Sequence, residues 1–220
     1  MVLFPLIVVA LTLAFAVMLL RRYRRRPRPH LLWWTVSMVQ GLIASLAYVV
    51  AVTAGSAFFF KLYYLFGALM VAAYLALGSV HLVLRPAVAR WALYGVLLFS
   101  VLGAAGILAA PVDRAALAET AATGGSGAGV LGSKGLWLAQ LIVMNTFGTV
   151  GVVLPALYSA VQLARRRAAG GFVLGNVLIA TGVLSLAAAG TAARLGGGGF
   201  WGTMALGYAV AFVGFLAIEG

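Results

Sequence analysis

Two histidines and four uncharged polar residues are the groups in this chain best able to bind or transform something. His30 and His81 are its only imidazoles, and a pair of imidazoles can ligate a haem iron or relay protons. Gln40, Tyr74, Asn145 and Asn176 each interrupt a long apolar run. An amide or phenol in that setting either bonds a neighbouring helix or faces a polar spot in a cavity. Converging from four helices, these four residues would form a ligand pocket, with a few placed hydrogen-bonding groups in an apolar surround. The ordinary reading of the same residues is interhelical linkage, worth about 0.6 kcal/mol per bond.

Several chemistries lack their parts. With no cysteine there is no disulfide, thiolate nucleophile or thiolate metal site. The acids are Asp113, Glu119 and Glu219, all outside the apolar runs, so no carboxylate is placed to carry a proton through a membrane interior. A zinc hydrolase needs several histidines and an acid on one metal. A Ser-His-Asp arrangement fails because both histidines fall at the opposite end of the helices from Asp113. The final apolar run, GTMALGYAVAFVGFLAI, holds no lysine, and Lys61 and Lys134 lie at helix ends, which rules out a retinal Schiff base. No catalytic residue, metal site or cofactor is expected, apart from the haem alternative at His30 and His81. The competing role for those two is interfacial, bonded to lipid phosphate or loop carbonyls.

These residues are positioned by membrane-crossing helices. The chain is 65% hydrophobic and 8% charged with a mean hydropathy of +1.13, against roughly 25% charged residues in a soluble domain. Its formal charge of +12 would suggest nucleic acid in a soluble protein. Here the arginines fall in short segments between apolar runs, where they set topology and meet anionic lipid headgroups. Hydropathy predicts a bundle of seven transmembrane helices over residues 2–20, 31–54, 61–84, 91–110, 136–163, 171–193 and 200–218, one domain with a long outer connection at 111–135. Each predicted run approaches or exceeds the length needed to cross about 30 Å at 1.5 Å per residue. A signal peptide carries its charge before its apolar core, whereas RRYRRRPRPH follows the first run, so that run is read as a retained helix.

Arg21, Arg22, Arg24, Arg25, Arg26, Arg28, Arg85, Arg90, Arg165, Arg166 and Arg167 share one side, and Lys61, Arg114, Lys134 and Arg194 share the other. The positive-inside rule therefore predicts an amino terminus outside and a carboxyl terminus in the cytoplasm. In the third helix, Tyr63, Gly67, Val71, Tyr74, Gly78, His81 and Arg85 fall on one stripe, which predicts a helix packed inside the bundle. Leu62, Leu65, Phe66, Leu69, Leu75 and Leu82 spread over its remaining surface. Small residues Thr181, Ser185, Ala188 and Ala192 on the sixth helix, and Gly207, Ala211 and Gly214 on the seventh, read as packing seams. In the connection, DRAALAETAA suggests a short interfacial helix and GGSGAG a mobile link.

The string YYLFGALMVAAYLALGSVHLV, with the arginine-rich segment and the Trp33-Trp34 pair before it, resembles uncharacterised seven-helix membrane proteins of high-GC bacteria. The layout is also similar to the seven-helix input domains of bacterial sensor kinases. These resemblances imply a multi-pass protein of the bacterial cytoplasmic membrane. It would bind a small apolar or lipid-like ligand, or a partner membrane or signalling protein that receives its signal, since the chain shows no output domain. The alternative is a small-solute transporter or channel.

Overall fold

The computed structural model describes residues 2–132, 135–167 and 170–218. Lys134, assigned above to the outer side, and Glu219, at the carboxyl end, lie outside the described residues. Among those described, seven helices are long and apolar enough to cross a membrane, and a short helix, Arg114–Thr123, lies in the long connection. The chain is thus all-helical and multi-pass, its only β feature among the described residues being an isolated antiparallel bridge between Val112 and Leu131.

Apolar runs set the spans, while prolines and glycines set their ends. The first span, Leu3–Arg25, continues past the expected end at residue 20 into the arginine run. Arginine is a good helix former and is favoured in a last turn, where its charge meets unpaired carbonyls. Pro27 and Pro29 then disfavour continuation, so the cationic segment is mostly helical and only residues 26–28 link the two helices. Proline supplies the first residue of the second span, Pro29–Ala54, and of the fourth, Pro86–Ala109. Both therefore begin ahead of the hydropathy boundary, because a proline at the first helical position gives up no hydrogen bond. Gly55, at φ +60°, ends the second span, and the third begins at once, over Ala57–Val83. The fifth, sixth and seventh spans are Leu136–Arg165, Gly170–Arg194 and Phe200–Ala217, close to expectation.

The third span is not a uniform α-helix. Tyr64–Met70 winds as a π-helix, with the Val71 N–H reaching back to Phe66 O. A π segment shifts the hydrogen-bond register by one residue, so carbonyls near its end need donors from elsewhere. In hydrocarbon an unpaired carbonyl costs several kcal/mol. Two neighbouring spans supply these donors. The Ser37 hydroxyl donates to Val71 O at 2.8 Å, and Asn145 Nδ2 donates to Ala68 O at 2.7 Å.

The spans form a ring in the order first, second, third, fifth, sixth, seventh, and back to the first. The fourth docks outside it against the third and fifth. The third span is accordingly covered on nearly all sides. Tyr63, Val71 and Tyr74 are buried as expected, but so are Leu65, Leu69 and Leu75 on the surface expected to face away.

Lipid tails are as apolar as leucine, so close backbone packing rather than hydrophobicity holds such helices together. A Cβ on Gly148 would lie 2.5 Å from Ala72 Cβ, joining the fifth span to the third. A Cβ on Gly182 would lie 2.6 Å from Ala211 N, and one on Gly214 would lie 2.8 Å from Gly175 O. Gly207, Ala211 and Gly214 therefore do form a seam. Its partner face on the sixth span is Gly175 and Gly182, not the Thr181, Ser185, Ala188 and Ala192 stripe, whose residues are exposed or half-buried. The sixth span carries small residues on several faces, so spacing alone could not choose between them.

The two halves of the ring are filled differently. Toward the arginine-rich end, Phe15 packs on Phe215 with ring centres 4.8 Å apart, and Trp34 packs edge-on to Phe215 at 5.1 Å. A side chain on Gly78 would fall inside the Trp34 indole. That half is closed. The other half, under the long connection, contains the cavity described next.

Candidate ligand cavity

At the connection end, the second, third, fifth, sixth and seventh spans enclose a cavity of about 760 Å³. Small residues make room for it: Gly41 and Ala44 on the second span, Gly67 and Ala68 on the third, and Gly190 on the sixth all line it. Its aromatic walls are Tyr63, Tyr64, Trp137, Phe200, Trp201 and Tyr208. Between the fifth and sixth spans it is flanked by Ile142, Val150 and Thr191, which are themselves exposed on the helix surface. An apolar molecule in the membrane would meet this side of the bundle.

The roof is the glycine-rich part of the connection. Three tyrosines from two spans hold three consecutive carbonyls. Tyr48 donates to Gly125 O at 2.7 Å, Tyr63 to Ser126 O at 3.2 Å and Tyr64 to Gly127 O at 3.1 Å. Gly127 sits at φ +69°, where a Cβ would lie 2.5 Å from the Phe60 ring, so glycine meets both a conformational and a steric demand. Val130 and Leu131 are buried behind it. Asp113 caps the short helix by accepting from the N–H groups of Ala115 and Ala116. The short helix of the sequence reading is present. The expected mobile GGSGAG link is instead an ordered lid, because composition does not reveal that three phenols wait beneath it.

Of the four polar residues singled out in sequence, Asn145 lines the cavity, and its Nδ2 donates to Ala68 O and to Leu141 O. Gln40 is buried in the bundle, with Nε2 3.9 Å from Met70 Sδ and Oε1 without a partner. The Tyr74 hydroxyl accepts from Ser100 at 3.4 Å. Asn176 bonds back to Phe172 O of its own helix. Gln40, Tyr74 and Asn176 are not among the residues lining the cavity. His30 and His81 stand together at the arginine-rich end, within electrostatic range of each other. His30 lies edge-on to Trp34 at 5.2 Å, and His81 faces Trp33 at 6.1 Å while its Nδ1 is 2.8 Å from Leu77 O. Neither lines the cavity. No group of three His, Cys, Asp or Glu side chains forms among the described residues.

Sequence reasoning passed over Tyr63 and Tyr64 as binding groups, Trp137 and Trp201 altogether, and Arg194 as anything but a topology charge. A signal was available: Trp137, Arg194 and Trp201 stand at or next to helix ends on the side of the long connection, and Tyr63 and Tyr64 within about two turns of one. The Trp201 indole N–H, buried in the wall, lies beside the Tyr48 hydroxyl without the geometry of a full hydrogen bond.

Fold and cavity together define a class: a multi-pass helical membrane protein with a lidded, mainly apolar cavity in one half of the bundle. The chain matches no protein-family model, no curated protein and no solved structure.

Proposed function

We propose that this protein is a non-catalytic integral membrane protein that binds a small apolar or lipid-like molecule in the cavity beneath the connection. The carrying observation is the contrast between the halves of one bundle: aromatic packing closes the arginine-rich half, while the other holds about 760 Å³ under an ordered lid. That volume lies in the range of sites that enclose drug-sized ligands. A path for solute would have to continue through the closed half, so the packing favours binding over passage. The arginine distribution supports an amino terminus outside and a carboxyl terminus in the cytoplasm of a bacterial inner membrane, with the arginines on anionic headgroups. The cavity then belongs to the outer leaflet. A sensor-like or accessory role follows, with a partner membrane protein reading the occupied state.

The test is extraction of the purified full chain followed by mass spectrometry and an absorption spectrum. The reading expects an apolar molecule retained at close to one per chain and lost in Gly190→Phe. Gly190 lines the cavity and a Cβ there meets nothing within 4 Å, so the ring is accommodated without a clash and takes up cavity space. Retention of the same molecule by Gly190→Phe would place it elsewhere and end this reading.

A further inference from the structure

Arg194 is the one charged side chain among the described residues that line the cavity. It is the last residue of the sixth span, where a basic side chain suits the headgroup region, and its guanidinium is within electrostatic reach of the Tyr63 and Tyr64 phenols. Among the described residues, no carboxylate lines the cavity to neutralise it. Asp113 is engaged in capping the connection helix and Glu119 is exposed on that helix. The Tyr63 and Tyr64 hydroxyl protons are committed to the lid, and the Trp201 N–H is buried without a full partner. Below Arg194 the wall is mainly apolar and uncharged, its polar groups being the hydroxyls and amide of residues such as Ser45, Asn145, Thr146, Thr149 and Tyr208. From Trp137 to Val150 the cavity follows the fifth span, a depth of about 20 Å at 1.5 Å per residue. One cation at the edge of a long, mainly apolar slot suits a molecule with the inverse plan.

We propose that the cavity holds a single-chain amphiphile with an anionic carboxylate or phosphate head, the head at Arg194 and the chain lying between the fifth and sixth spans. This rests on the cavity being a lipid-type site, and deepens it by assigning the charge of the ligand. Arginine suits the task because its planar fork can donate two parallel hydrogen bonds to either headgroup. Entry is lateral, past the exposed residues Ile142 and Thr191, so the charged head stays at the headgroup level while only the chain enters the bundle.

The experiment titrates the detergent-solubilised full chain with oleate and with oleyl alcohol, which share a chain and differ in the head, and counts adducts by native mass spectrometry. Oleate is expected to bind about tenfold or more tightly than the alcohol, the scale of one charge-assisted hydrogen-bonded contact. Arg194→Gln should erase the difference, the loss falling on oleate far more than on the alcohol, and Arg194→Lys should restore part of it. The Arg194 side chain is exposed and packs into no core, so a thermal midpoint equal to wild type is expected for both variants. Equal affinity for the two probes, or an oleate preference that survives Arg194→Gln, overturns the assignment of the head but leaves the cavity reading standing. Binding of neither probe, or binding of both that persists in Gly190→Phe, overturns the cavity reading itself. Inorganic phosphate is the third arm. Displacement of oleate by millimolar phosphate would make Arg194 a free-anion site and end the proposal, whereas oleate held against phosphate supports a headgroup tethered by its chain.

Discussion

Removing three hydroxyl groups should loosen the lid without disturbing the bundle beneath it. Tyr48→Phe, Tyr63→Phe and Tyr64→Phe each delete one donor to a lid carbonyl and keep the ring. The aromatic contacts, such as Tyr48 on Tyr63 at 5.1 Å and Phe60 on Tyr64 at 5.2 Å, therefore survive. A neutral hydrogen bond of this kind contributes about 1 kcal/mol net, or roughly a fivefold change in an opening equilibrium. If the three act independently, the triple variant loses about 3 kcal/mol and opens on the order of a hundredfold more often. Coupling among neighbours will move that figure. The reporters are built in: the Val130 N–H bonded to Gly127 O, the Gly132 N–H bonded to Pro111 O and the Asp113 N–H bonded to Val130 O. Hydrogen exchange followed by mass spectrometry should show these amides exchanging faster in each variant and fastest in the triple, with mid-span amides unchanged. Because Ser126 and Ala128 line the cavity, a retained molecule should also leave faster. Wild-type exchange across residues 112–132 in the triple variant would refute the reasoning and show that the buried Val130 and Leu131 hold the lid unaided.

Asn145→Leu removes the donor that Ala68 O receives within the π-helical turn. It should lower resistance to denaturing detergent by about 0.6 kcal/mol, the average for interhelical bonds in a membrane, and by no more than about 1.7. A variant as stable as wild type would mean the π segment satisfies its own carbonyls. Gly148→Val forces a side chain onto Ala72, whose Cβ and carbonyl carbon would lie 2.5 and 2.6 Å from the new Cβ. Overpacking of this kind costs about 1–3 kcal/mol, so thermal unfolding in detergent should shift to lower temperature, with Gly190→Ala as the tolerated control. An epitope tag at the amino terminus should be reached by impermeant label in intact cells, and protection of that tag would reverse the proposed orientation.

The seven crossings were legible in the sequence alone, as were their ends to within several residues and the gathering of arginine at one end. Those features follow from one-dimensional quantities: the length of an apolar run against the thickness of a bilayer, and the exclusion of charge from hydrocarbon. The short helix after Asp113 was legible for the same kind of reason, since an N-cap is local chemistry. Asn145 could be singled out because an amide in an apolar run has few destinations, yet its destination, a carbonyl of another span, was not readable.

Tertiary structure alone decided where the empty space lies and what covers it. Tyr48, Tyr63 and Tyr64 come from two spans to hold carbonyls 77, 63 and 63 positions along the chain, and no window of sequence contains both partners. The second, fourth and fifth spans all pack on the third, so Leu65, Leu69 and Leu75, which a one-sided stripe leaves facing away from the bundle, are buried along with Tyr63, Val71 and Tyr74. Arg194 counts as one more basic residue until the sixth span is set beside Tyr63, Tyr64 and Trp201 around a common space. A residue's tendency to enter the membrane is its own property and sums along the chain, whereas a cavity is a relation among side chains brought together only by folding.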